Sequence, residues 1–150
     1  MQILIRYCVV QDIPEVLAIE NLSFADPYPE SLFLSFLERF PIGFRIAESD
    51  GNLSGYSVIL PLQDKNTVVI TSLAVHPNFK RNKIATRLLI DAMKIARKFK
   101  SPSITLQVAV DNIAAQSLYS KFGFTKTGAI KNYYGRGHDG LEMRISLKGT

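Results

Sequence analysis

This 150-residue chain predicts an α/β fold, a mixed sheet with helices on both faces. Three observations carry that expectation. Short segments alternate apolar and polar residues at period two, other segments repeat apolar residues at helical spacing, and the two kinds intermix along the chain. The resulting order is β-α-α-β-β-β-α-β-α-β-β. No repeat, low-complexity tract or linker interrupts it, so a single domain over 1–150 is expected. No apolar run approaches the ~20 residues of a membrane span.

Residues 3–9 form the first strand, and Arg6 inside its apolar stretch argues against a signal sequence. Asp12 is the expected N-cap of a helix reaching about Asn21, with Pro14 and Glu15 in its first turn. The run FADPYP breaks that helix, and a second covers 30–40. Strands at 44–48 and 54–60 are joined by the hairpin signal Asp50-Gly51-Asn52. Thr67–Val75 is the next strand, ended by Pro77 and a polar turn over 78–83. From Ile84 helical spacing sets in, with Leu88, Ala92, Ile95, Ala96 and Phe99 on one side. Residues 104–110 alternate as a strand, and Ile113–Lys121 is a short helix stopped by Gly123, with Ala114, Leu118 and Phe122 buried. Strands at 125–133 and 141–147 flank a turn at 135–140.

Charge singles out one stretch. Between His76 and Lys100 lie eight Lys/Arg and one Asp, a local charge of +7 in a chain whose total is +5. Basicity is thus concentrated where a polar turn opens a helix. There unpaired backbone N–H groups and the positive end of the helix dipole suit a phosphate. Lys80, Arg81 and Lys83 add charge at that spot, whereas Arg87, Lys94, Arg97, Lys98 and Lys100 read as a solvated helix face. Cys8, the only cysteine, cannot form an internal disulfide and points to a reducing, cytoplasmic setting. His76 and His138 are the only histidines, too few for a Cys/His metal cluster, so metal-free chemistry is expected.

The runs LAVHPNFKRNKIATRLL and LQVAVDNIAAQSLYSKFGF resemble the GCN5-related N-acetyltransferase (GNAT) superfamily. FADPYP, ITSLAV and KNYYGRGHDGLEM are similar to its protein Nα-acetyltransferase branch, the archaeal and ribosomal-protein alanine type. The resemblance implies a GNAT-like, mostly antiparallel sheet and acetyl-CoA as co-substrate. Cys8, in the first strand, is far in sequence from the cofactor motifs, so a direct transfer without an acetyl-enzyme is expected. The resemblance also implies that the backbone of Leu73, Ala74 and Val75 pairs with the pantetheine arm as an added strand would. The N–H groups of Arg81, Asn82, Lys83, Ile84, Ala85 and Thr86 would cradle the pyrophosphate. The family turn, Gln/Arg-x-x-Gly-x-Gly/Ala, falls on residues 80–85, with Lys80 as a basic substitute and Lys83 in place of the first glycine. Lys83 can still donate its N–H provided its φ stays negative.

Asn112 and Tyr119 would meet the cofactor near its reactive end, with Tyr119 serving the leaving thiolate. A phenol near pKa 10 protonates a thiolate near 8.5 uphill by about 2 kcal/mol, so Tyr119 is expected to hydrogen-bond the thiolate. The alternative is a plain amphipathic tyrosine. The general base departs from the family pattern. Where relatives place Glu or His in strand five and His or Tyr in strand four, this chain has Gln107 and Val69. Asp26 of FADPYP is the candidate base, with a turn aspartate before Pro27 as the alternative. His138 could serve from the final hairpin or be a surface turn residue.

An α-amine near pKa 8 costs about 1.4 kcal/mol to deprotonate at pH 7, a lysine near 10.4 about 4.6 kcal/mol. A weak base therefore favours protein N-termini or peptides as acceptors. Phe24, Tyr28, Tyr133 and Tyr134 would line the peptide slot, or serve as ordinary core. The branch leaves room for an auxiliary subunit. The rivals are a lysine or polyamine acetyltransferase of the same fold, a cofactor-binding regulatory module without turnover, and a basic nucleic-acid binder. The last is disfavoured because surface aromatics are not interleaved with the charges.

Overall fold

The computed structural model describes residues 2–62, 67–133 and 137–147. Its strands follow the order β1-β2-β3-β4-β5-β7-β6 in one seven-stranded sheet. The chain divides into two compact units, Met1–Leu60 with Thr71–Ile95, and Pro61–Ile70 with Ala96–Thr150. Strand β4 contributes to both.

The first unit holds β1 (Ile3–Tyr7), α1 (Ile13–Ser23), α2 (Glu30–Arg39), β2 (Phe44–Ser49), β3 (Asn52–Pro61), the end of β4 (Thr67–Val75) and most of α3 (Ile84–Lys98). Strands β1, β2 and β3 pair antiparallel, and the β2–β3 turn has positive φ at Asp50 and Gly51 (50° and 87°), as the hairpin signal implied. Alternation along the strands separates two faces. Phe44 and Ile46 of β2, Tyr56 and Val58 of β3 and Ala74 of β4 pack with Val16 and Ile19 of α1 and Phe33 and Phe36 of α2. Ala47 and Val75 point the other way and pack with Ile84 and Leu88 of α3. Gly55 makes that approach possible. A Cβ there would stand 2.8 Å from the Ala74 carbonyl oxygen and 3.3 Å from both Ile84 and Leu88.

One expectation for this unit and one just past the end of α3 need correction. Asp12 does not cap α1 with its side chain. Its carboxylate accepts from both terminal nitrogens of Arg6 (2.8 and 2.9 Å) and from the Val9 N–H (2.8 Å), and this pairing holds its pKa below the usual carboxylate range. Arg6 also binds Glu48. Phe99, expected on the apolar side of the helix, lies beyond the last residue of α3, in the second unit, and is 48% exposed. On the far face, Arg45 grips Asp91 of α3 in a two-pronged pair (3.0 and 3.1 Å) and stacks over Tyr7.

The second unit holds the start of β4, β5 (Ser103–Ala109), α4 (Ile113–Lys121), β6 (Thr125–Ile130) and β7 (Gly140–Ser146). Strands β5, β7 and β6 pair antiparallel, and β4 meets β5 in parallel from Thr67↔Ser103 to Ile70↔Leu106. Helix α4 turns a face inward that differs in part from the expected one. Gln116 and Tyr119 are buried, Leu118 and Phe122 are half-buried as part of the expected face, and Ala114 is exposed. Gln116 sets this rotation by donating from Nε2 to the carbonyls of Ala109 and Val110 (3.0 and 2.9 Å), which end β5. The strand expected over 125–133 stops at Ile130, where Asn132 adopts φ 57° and donates its N–H to Asp139 (2.9 Å). Among the described residues no helix is long and apolar enough to cross a membrane.

Candidate functional site

Strand β4 runs five residues past its last parallel partner, through Leu73, Ala74 and Val75. His76 follows, its Nδ1 accepting from the Asn78 N–H (3.0 Å) and its ring edge-on to Phe79. Asn82 closes the turn by donating to the Phe79 carbonyl (3.1 Å). Arg81 and Lys83 then take φ of 70° and 62°. The condition that Lys83 keep a negative φ is therefore not met. Alternating left-handed residues aim successive N–H groups into one concavity, an anion-binding geometry that glycine adopts freely and lysine adopts at about 1 kcal/mol.

The Arg87 N–H is the first to bond back into the chain, to the Lys83 carbonyl at 3.0 Å. Among the described residues, the N–H groups of Arg81, Asn82, Lys83, Ile84, Ala85 and Thr86 have no protein acceptor. Ile84 turns its side chain wholly into the core, so it can serve an anion only through its backbone. Lys80, Arg81 and Lys83 stay exposed around this concavity. A pyrophosphate fits such a place: oriented donors and positive charge.

On the opposite face, the loop after α1 carries Phe24, Asp26 and Tyr28. Phe24 and Tyr28 are half-buried against the core, the Tyr28 ring edge-on to Phe33 and Phe36 (6.2 and 6.0 Å), while Asp26 is exposed. Beneath them sits Glu20, which sequence reasoning missed. It is an acid inside an amphipathic helix and has no neighbour in sequence to mark it. Its Oε1 accepts from the Tyr56 hydroxyl and from Ser72 Oγ (2.9 Å), and its Oε2 from the Tyr28 N–H (3.0 Å). Burial first, and then the Glu20 charge, push the Tyr56 phenol far above its ordinary pKa.

In the second unit, Asn112 caps α4, its Oδ1 accepting from the Ala115 N–H (3.1 Å). Tyr119 packs edge-on to Phe124 (5.6 Å), and burial pushes its pKa up to about 12. Its hydroxyl is therefore a proton-bearing donor at neutral pH. Val69 lies opposite Thr105 across β4–β5, and Gln107 lies opposite Glu142 across β5–β7. Directly paired residues share a face. Glu142 thus places a carboxylate beside the side chain of Gln107, and Thr127 Oγ1 donates to it at 2.6 Å. No sequence signal shows this, since strand register is set by the folded sheet. Tyr133 is 45% exposed in the turn before β7, and His138 is an exposed turn residue. Tyr134 lies outside the described residues.

The sequence pattern of the Acetyltransferase (GNAT) family matches residues 13–124. An N-alpha-acetyltransferase of Sulfurisphaera tokodaii is 30% identical over 156 aligned positions, which cover 95% of this chain and 92% of the relative. The ribosomal protein bS18-alanine N-acetyltransferase of Escherichia coli is 26% identical, covering 82% of this chain and 81% of its own length. The crystal structure of Ard1 from Thermoplasma volcanium superposes with a TM-score of 0.93 at 25% identity, over 98% of this chain and 99% of that one.

Proposed function

The chain belongs to the acetyltransferase (GNAT) family and is an acetyl-CoA-dependent N-acetyltransferase; from that premise we propose that its acceptor is the N-terminal α-amine of a protein, acetylated in the cytoplasm. The observation that carries this reading is the likeness, over nearly the whole chain, to a relative named for N-alpha acetylation. Proton cost supplies the physical reason. Val69 and Gln107 cannot take a proton, and an amine near pKa 8 needs about 3 kcal/mol less help than a lysine.

The co-substrate supplies an activated acetyl thioester. Residues 81–86 offer N–H groups to its pyrophosphate, and the backbone of Leu73, Ala74 and Val75 offers strand-type bonds to its extended arm. The neutral amine attacks the carbonyl carbon, the C–S bond breaks, and the thiolate leaves while Tyr119 donates a hydrogen bond to it. With a pKa near 12, Tyr119 is a poor acid and a lasting donor, which favours that role over early proton transfer. Asn112 acts beside it by fixing the start of α4. The amine's proton passes to a carboxylate, and two are available for the role: Asp26 in the exposed loop, and Glu142 beside Gln107. Phe24, Tyr28, Tyr133 and Tyr134 are assigned to the peptide slot. An auxiliary subunit is compatible with this reading, and no nucleic-acid partner is required.

Peptides bearing one free α-amine and one lysine test the assignment, with the product mapped by mass spectrometry. Acetyl on the α-amine is expected, at a rate rising with pH through about 8. Preferential modification of lysine would replace this reading with that of a lysine or polyamine enzyme.

A further inference from the structure

Glu20 is 2% exposed, and among the described residues no cation pairs with it. Burying a carboxylate is strongly unfavourable unless hydrogen bonds replace its hydration. Here three donors do so, and they come from three different segments: the Tyr28 N–H from the loop after α1, the Tyr56 hydroxyl from β3 and the Ser72 hydroxyl from β4. Tyr56 and Ser72 also lie within 3.3 Å of each other, which closes the group. Ser72 directly precedes Leu73, the first of the β4 residues assigned to the co-substrate. Tyr28 sits near the end of the loop assigned to the acceptor.

We propose that Glu20 is a positioning residue that ties the acceptor loop to β4 and thereby sets the affinity for the incoming peptide. The inference rests on reading the 24–29 loop as a wall of the acceptor slot. A leucine of similar size would fill the same space without desolvating a charge, so packing alone gives no reason for an acid here. Each oxygen has a distinct task. Oε2 holds the loop backbone, and Oε1 holds the two hydroxyls of the sheet. The Tyr28 ring packs on Phe33 and Phe36, which adds a second, apolar anchor to the backbone tether. Glu20 is not the proton acceptor of the reaction: three donors already engage its oxygens and solvent does not reach it.

Steady-state kinetics with acetyl-CoA and a peptide carrying a free α-amine test this on the full chain. Glu20→Leu should raise the peptide KM about tenfold, the effect of losing a hydrogen bond to a charged group, while the acetyl-CoA KM stays within about twofold. Glu20→Gln should recover most of the loss with an unchanged pH profile. Its amide oxygen can take the Tyr28 N–H while the two hydroxyls rotate to accept from its NH2. An unchanged peptide KM in Glu20→Leu would overturn the inference while leaving the Nα reading intact. So would a Glu20→Gln variant that has lost a limb of its pH profile, which would make Glu20 the base.

Should Glu20→Leu fail to fold, amide hydrogen exchange on the unsubstituted protein decides. The Tyr28 amide should exchange about tenfold or more slowly than those of Ala25 and Asp26, after correction for intrinsic rates. Equal rates would remove the tether. If the unsubstituted protein acetylates no peptide, the acceptor reading falls and takes the role of Glu20 in peptide binding with it; a protected Tyr28 amide would then show that the tether itself is real.

Discussion

Residues 81–86 present backbone N–H groups at an open turn, whereas Glu20 gathers three donors onto a side chain that solvent does not reach. The turn depends on chain geometry. Its side chains can vary, as Lys83 at a position of φ 62° shows, provided that nothing bulky enters the concavity. The Glu20 group depends on side-chain chemistry and tolerates little change, because each partner left behind would be a buried, unsatisfied polar group. A backbone site should therefore respond to volume, and a side-chain site to hydrogen-bonding capacity.

The sharpest extension of that contrast lies in the second unit. Tyr119→Phe keeps the volume and removes one donor, and turnover should fall about a hundredfold with acetyl-CoA affinity nearly unchanged. Single-turnover kinetics beside calorimetry would show it, and an unaltered kcat would make Tyr119 structural. At the turn the rule reverses. Ala85→Ile adds volume and leaves every donor in place, and acetyl-CoA should bind about tenfold more weakly by calorimetry. Equal affinity in a folded variant would move the pyrophosphate elsewhere.

The two candidate bases differ by a smaller, pH-dependent margin. If Asp26 takes the proton, Asp26→Asn should slow the reaction about fivefold more at pH 7 than at pH 9, where an amine of pKa near 8 is already neutral. If Glu142→Gln shows that pattern instead, the β7 carboxylate is the base. A variant that slows both pH values equally has lost a positioning group.

Cys8 offers a stability test of the same idea of burial. Burial pushes its thiol up to about 12, so the folded chain keeps the proton while the unfolded chain releases it above about 8.5. The unfolded state then binds fewer protons, and stability falls as pH rises through that window, by about 1.4 kcal/mol at pH 9.5. Urea unfolding should show this slope and Cys8→Ala should reduce it. The smallest effect belongs to the strained turn. Lys83→Gly relieves the left-handed backbone and should stabilise by about 0.5 kcal/mol, with acetyl-CoA affinity within twofold. A large loss of affinity would show that the Lys83 side chain itself binds.

Local signals in the chain were enough to locate what depends on nearest neighbours. Thr67–Val75 and Ile113–Lys121 lie where alternation and helical spacing place them, and the Asp50-Gly51 turn forms with both φ positive. The basic turn before α3 was legible for the same reason: a helix start and its flanking charges are contiguous in sequence. Asp12 misled because a good cap is also a good partner for Arg6, and the folded chain brings Arg6 to it. Ala114 misled because apolar spacing cannot foresee that Gln116 will bond the end of β5 and rotate α4, whereas Leu118 and Phe122 are half-buried.

The sequence by itself determined the kinds and order of the elements, the location of the basic turn before α3 and the family motifs, since all of these are written in short-range spacing. Only the tertiary structure decided which carboxylates meet partners distant in sequence. Glu20 acquires its partners from residues 8, 36 and 52 positions away, and Glu142 meets Gln107 through the register of β5 and β7. Such contacts depend on how strands pair and how helices rotate against them. Those are global choices made by packing and by the need to satisfy every buried polar group, and no local pattern encodes them.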